Sequence, residues 1–199
     1  MTWIVFDYGG VLCLPQLDSD NEAMARAVGA DPDAFRRGYW EHRLEFDRGS
    51  LGPLDYWSAV LGRPATTSEL ARLVAMDVAS WAYPNESTVA LLGELIGAGR
   101  DVALLSNMPV CVGDGLDELP WIAEVGHRFY SGRMGLVKPD REIYDEMARA
   151  LGADPSEVVF IDDREENVEG AERAGMTGVH FTDASTLRGT LSGVHGAIG

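Results

Sequence analysis

Six polar side chains give this sequence its chemical capacity: Asp7, Ser106, Asn107, Lys138, Asp162 and Asp163. Asp7 follows the apolar run Trp-Ile-Val-Phe, Ser106 and Asn107 follow Val-Ala-Leu-Leu, and the Asp162-Asp163 pair follows Val-Val-Phe-Ile. Three carboxylates brought to one place repel unless a cation lies among them. A hard divalent ion bound by carboxylates, carbonyls and waters answers that problem, and Mg²⁺ is the usual ion where a phosphate oxygen completes the shell. The Ser106 hydroxyl and the Asn107 amide are neutral donors suited to phosphate oxygens, and Lys138 brings a compact positive charge. Together these residues make a phosphate site. Each also has a plainer reading: Asp7 as a turn cap, the acidic pair as a solvated helix start, Lys138 as a surface lysine, and Ser106-Asn107 as a strand-end turn.

The elements that must position these groups are legible from apolar runs. Residues 3–6, 102–105 and 158–161 are short, continuously apolar and polar at their ends, the pattern of parallel strands buried on both faces. Residues 127–130 and 177–181 are weaker strand candidates. Helical stripes lie between them: one opens at Asn85, whose side chain can cap, and stops at Gly99; one opens at Asp140; one runs from about Glu165 to Gly175. This alternation predicts an α/β fold, a three-layer Rossmann-like parallel sheet whose ligands bind beyond the carboxyl ends of the strands.

Residues 16–82 have helical stripes and no convincing strand, with Asp31-Pro32, Gly52-Pro53 and Thr66-Thr67-Ser68 as starts or breaks. The expected division is a core of residues 1–15 and 83–199 with an all-helical cap of residues 16–82 inserted after the first strand. Within the cap, the stretch from Tyr39 to Gly49 mixes aromatic and charged residues. Its simplest reading is packing by Tyr39 and Phe46 with the charges facing solvent. Trp81 and Trp121 are expected as core or hinge residues, and His127 as packed or exposed.

The 199 residues carry 32 Asp and Glu against 16 Lys and Arg, a net charge of −16. That balance gives no footprint for nucleic acid. It also disfavours anionic ligands at long range, so a phosphate ester needs a local cation. Cys13 and Cys111 have no C-x-x-C spacing and suit a reducing compartment. No basic leader and no apolar stretch of membrane-spanning length is evident, so a cytoplasmic protein without a membrane partner is expected. Oligomeric state is left open.

Four motifs carry a resemblance: FDYGGVL at 6–12, LLSN at 104–107, GLVKPD at 135–140 and FIDDREEN at 160–167. In this order and spacing they resemble the haloacid dehalogenase superfamily, in the subclass whose helical cap follows the first motif. The resemblance implies a Mg²⁺-dependent phosphatase acting on a small phosphorylated metabolite, a sugar phosphate among the candidates. It implies that Asp7 attacks phosphorus to form an aspartyl-phosphate. It further implies that Asp7, the Gly9 carbonyl and Asp163 bind the metal with Asp162 in support, and that Ser106, Asn107 and Lys138 hold the phosphoryl group.

One departure stands out. Phosphatases of this superfamily usually carry a second Asp two residues after the nucleophile as general acid and base, and here that position is Gly9. The carbonyl is kept, but a proton-transfer group worth on the order of 10²–10⁴ in rate is lost. In this respect the chain resembles the glucose-1-phosphate phosphatase-like subgroup, and the change favours activated leaving groups. Two other functions fit the same motifs: a phosphate-metabolite binder without turnover, and a 2-haloacid dehalogenase, although dehalogenases usually have an aromatic residue at the position of Gly9 and lack the acidic pair.

Overall fold

The structure, a computed structural model, describes residues 2–193; residue 1 and the last six of the core expected at 83–199 lie outside the described residues. The chain opens with β1 (Trp3–Phe6) and continues through five helices: α1 (Asp18–Ala27), α2 (Pro32–Glu41), α3 (Arg43–Arg48), α4 (Pro53–Leu61) and α5 (Thr67–Ser80). After α6 (Glu86–Gly97) come β2 (Asp101–Ser106), α7 (Val110–Leu116), α8 (Pro120–Ala123), β3 (His127–Tyr130), α9 (Ser131–Met134) and α10 (Arg141–Leu151). A 3₁₀ turn leads into β4 (Val158–Asp162), followed by α11 (Glu165–Arg173), β5 (Thr177–His180) and α12 (Ala184–Gly193).

The five strands form one parallel sheet in the order β3-β2-β1-β4-β5. Alternate residues of the central strands point to opposite faces. Ile4, Phe6, Leu104, Val159 and Ile161 pack with α6, α7 and α12, whereas Val5, Leu105, Val158 and Phe160 pack with α10 and α11. This makes the expected three-layer α/β architecture, with apolar runs on β1 and β4 because both faces are covered.

The helices between β1 and α6 close a third apolar cluster of their own, centred on Phe35, Tyr39, Phe46, Tyr56 and Trp57. Local chemistry sets their starts. Asp31 accepts a hydrogen bond from the Ala34 amide, Pro32 and Pro53 open their helices, and Thr66 and Glu69 form a reciprocal capping box before α5. Asn85 precedes α6, but its side chain makes no cap bond and instead accepts from the Ser87 hydroxyl at 2.9 Å. Among the described residues, no helix is long and apolar enough to cross a membrane.

Candidate active site

The carboxyl ends of β1, β2 and β4 and the loop before α10 bring Asp7, Ser106, Asn107, Lys138 and Asp163 to one cleft of about 510 Å³, with Asp162 buried off its lining. β1 lies between β2 and β4, with Phe6 level with Leu104 on one side and Ile161 on the other. The next residue, Asp7, donates its amide to the Ile161 carbonyl at 2.8 Å, so its side chain emerges where the sheet stops. Ser106, Asn107, Lys138 and Asp163 line the same cleft.

Lys138 is the electrostatic centre. Its ammonium is buried, 2.6 Å from Asp162 Oδ2 and 2.8 Å from Asp7 Oδ1. Burial alone would depress its pKa, but Asp162 and Asp7 outweigh that and hold it above the ordinary lysine value. Asp162 is completely enclosed and fully engaged: Lys138 and Asn167 Nδ2 donate to Oδ2, and the Arg164 amide and Asn167 Nδ2 donate to Oδ1. Asp7 is less satisfied. The Lys138 contact lacks hydrogen-bonding angles, so buried Oδ1 accepts no hydrogen bond. Burial pushes the Asp7 carboxyl well above the usual aspartate range, with Lys138 pulling it down and Asp162 pushing it up.

Asp7, Asp162 and Asp163 each offer a carboxylate oxygen within 4.8 Å of the others. Two ligands on opposite sides of a Mg²⁺ stand about 4.2 Å apart, twice its usual bond length. Asp7 Oδ1 touches the Lys138 ammonium but accepts no hydrogen bond, and burial is the main cause that raises the pKa of both Asp7 and Asp163, so carboxylates are gathered here where water screens them poorly. The donor set therefore fits a small hard cation.

Gly10 makes the approach of Asp163 possible. Its φ is +75°, and a Cβ there would stand 2.2 Å from Asp163 Oδ2. Gly10→Ala is expected to push Asp163 aside and to raise the Mg²⁺ concentration for half-maximal activity by about ten- to a hundredfold, read from a metal titration. An unchanged titration would show that Asp163 is not a ligand. Gly9 is different: its backbone is unstrained, but a Cβ would meet the Trp81 ring at 3.3 Å. An indole thus crowds the place from which a side chain at position 9 would start.

Ser106 reaches the cleft with its hydroxyl unbonded to any described residue. Asn107 is placed otherwise. Its Nδ2 donates to the Lys138 carbonyl at 2.9 Å and its Oδ1 accepts from the Lys138 amide at 2.8 Å, so it clamps the lysine loop to β2.

The helical segment supplies the opposite wall, and here the expectation of solvent-facing charges fails. Tyr39 and Phe46 do pack inside, but Arg43 and Asp47 are buried with them at the cleft edge. Arg43 donates from Nε to Asp47 Oδ1 at 2.8 Å and from Nη1 to Asp77, and it also bonds the Tyr39 hydroxyl. Burial lifts the Asp47 carboxyl to about 6 against the pull of Arg43. The carbonyl of Asp47 accepts from Ser131 Oγ, which also accepts from the Met108 amide at 2.8 Å; this chain ties α3 to the loop after β2. Asn167, Gly10 and Asp47 were not singled out from sequence, although Asn167 lies within the quoted FIDDREEN segment, Gly10 within FDYGGVL and Asp47 within the stretch from Tyr39 to Gly49. Arg43, with His42 and Arg48, stands in that stretch as a group a lid could use on a substrate, although its simplest sequence reading faces it to solvent. His127 stacks edge-on against Trp3 and has no part in the cleft.

The family model described as haloacid dehalogenase-like hydrolase matches residues 1–175. The chain is 28% identical to a sesquiterpene phosphatase of Aspergillus oryzae, over 90% of its own length and 89% of that protein's. It is 26% identical to a D-ribitol-5-phosphate phosphatase of Bacteroides thetaiotaomicron, over 87% and 88% of the two chains. Among solved structures, a haloacid-dehalogenase family enzyme of Bacteroides thetaiotaomicron in complex with magnesium and inorganic phosphate superposes with a TM-score of 0.74 at 18% identity, covering 94% of this chain and 98% of that one. The L-2-haloacid dehalogenase of Xanthobacter autotrophicus gives 0.65 at 21% identity, covering 98% and 84%. At these identities the structures establish likeness of fold.

Proposed function

The chain belongs to the haloacid dehalogenase-like hydrolases and is a phosphoric monoester hydrolase; from that premise we propose that it works through an aspartyl-phosphate on Asp7, with Mg²⁺ as cofactor and a small phosphorylated metabolite as substrate. The single observation that carries this reading is the convergence of Asp7, Asp162 and Asp163 around buried Lys138 at the end of a parallel sheet. A plain turn cap or surface lysine would not be enclosed in this way.

In this mechanism Asp7, the Gly9 carbonyl and Asp163 would hold the metal, and Asp162, whose oxygens are already taken by Lys138, Asn167 and Arg164, would support them. Bound Mg²⁺ would draw charge from the phosphoryl oxygens and lower the cost of gathering anions. A carboxylate oxygen of Asp7 attacks phosphorus, the bond from phosphorus to the ester oxygen breaks, and the leaving oxygen takes a proton from solvent water to depart as the alcohol. Water then attacks the same phosphorus, gives up a proton to solvent, and breaks the bond from phosphorus to Asp7, releasing phosphate and restoring the carboxylate. Ser106 donates its unengaged hydroxyl to a phosphoryl oxygen. Lys138 offsets the negative charge and favours the ionised form of Asp7 against the effect of burial. Asn107 fixes Lys138 through its backbone, and the helical segment 16–82 covers the cleft as a cap. With no carboxyl at Gly9, esters whose oxygen leaves readily turn over fastest.

Phosphate release from phenyl phosphate should require Mg²⁺ and stop on chelation, returning when Mg²⁺ is restored. Undiminished release in excess chelator would rule out the metal role given to Asp7 and Asp163.

A further inference from the structure

Resting on the phosphatase reading, we propose that the alcohol half of the substrate is apolar, an alkyl or aryl body lying between the cap and the loop after β2. Beyond the phosphate site, the cleft is walled by Trp40 and Leu44 from the cap, Trp81 at its hinge, and Met108, Val112 and Leu116 from the core. Trp40 and Leu44 are 51% and 53% exposed, although large apolar side chains gain by burial. Trp40 lies on α2 and Leu44 on α3, and both line the cleft.

The polar groups at this end of the cleft are turned on one another instead. Gln16 donates from Nε2 to Tyr39 Oη at 3.0 Å and to Ser80 Oγ at 2.7 Å, and its Oε1 accepts from Asn21 at 2.7 Å. Arg43 spends Nε on Asp47 and Nη1 on Tyr39 and Asp77. Recognising the hydroxyls of a sugar needs unengaged donors and acceptors, because a hydroxyl buried without a partner is costly. What the cleft leaves unengaged at this end is mostly apolar surface, with Arg43 Nη2 and Asp47 Oδ2 as polar exceptions, while Arg164 and Glu166 pair with each other. The Trp81 ring also stands at 3.3 Å from the Cβ position of Gly9, so the wall next to the nucleophile is aromatic where a carboxyl would otherwise project.

A series of n-alkyl monophosphates from ethyl to decyl tests this cleanly, because leaving-group reactivity hardly varies along it. kcat/KM should rise by about two- to fourfold per methylene until the cleft is full, and decyl phosphate should exceed glucose 6-phosphate, whose leaving oxygen is likewise a primary alkoxide. In an aryl arm, 1-naphthyl phosphate should exceed phenyl phosphate by about tenfold or more; a rise in one arm alone assigns the body as alkyl or aryl. Replacing both Trp40 and Leu44 by alanine should flatten the rise, whereas Leu54→Ala, an exposed apolar residue outside the cleft, should leave the slope as it was. Flat dependence in both arms, or glucose 6-phosphate outranking decyl phosphate, would overturn the inference while leaving the phosphatase reading intact. If no ester releases phosphate, that reading fails instead, and calorimetric binding of hexyl phosphate against glucose 6-phosphate still decides the character of the cleft: preference for hexyl phosphate upholds it, and equal or weaker binding rejects it.

Discussion

Asp7→Asn is expected to lower phosphate release by about 10⁴-fold or more, because the amide is isosteric but cannot attack phosphorus. The fold should survive. In the native chain burial raises the Asp7 carboxyl, and Oδ1 accepts no hydrogen bond, so the ionised side chain is held against its own preference. A neutral amide removes that burden, and Lys138 keeps Asp162 as its partner at 2.6 Å. The melting temperature without metal should therefore stay level or rise. Loss of activity with loss of folding would point to a structural role for Asp7. Near-normal turnover by a folded variant would remove it as nucleophile.

Lys138→Met should have the largest effect on stability, about 3–5 kcal/mol, since removing one partner from a buried ion pair leaves the other charge uncompensated. Here two carboxylates lose the same ammonium, and Asp162 has no exposure through which water could replace it. The shift in the urea midpoint measures this. Adding Asp162→Asn to Lys138→Met should recover part of the loss, as it removes the stranded charge. If the double variant is no more stable than the single one, then burial of Asp162 as an anion is not what Lys138 offsets. Activity should fall in both, because neither can balance charge at the nucleophile.

The central strands and their terminal residues were readable because β1 and β4 are covered on both faces and so are apolar at every position. That pattern breaks only where the sheet ends, which is where Asp7 and Asp162 stand. The edge strands β3 and β5 are only partly buried and gave weaker runs. The role of Asn107 could not be read locally: its partner is a backbone group 31 residues away. Arg43 and Asp47 misled for a related reason. An Arg and an Asp four apart on a helix normally face water, and their burial depends on Tyr39 and Asp77, which only tertiary packing brings alongside. Trp40 and Trp81 belonged to no apolar stripe that predicted a cleft wall. Motifs with backbone-local causes were visible, and contacts made across the cap were not.

The most direct measurement of the covalent account is acid quenching during turnover of phenyl phosphate with Mg²⁺, followed by peptide mass spectrometry. The account predicts that the peptide containing Asp7 gains the mass of one phosphoryl group within the first turnover and loses it once substrate is exhausted. A chain that releases phosphate while that peptide stays unmodified at every quench time, or that carries the phosphoryl group on another residue, would contradict it.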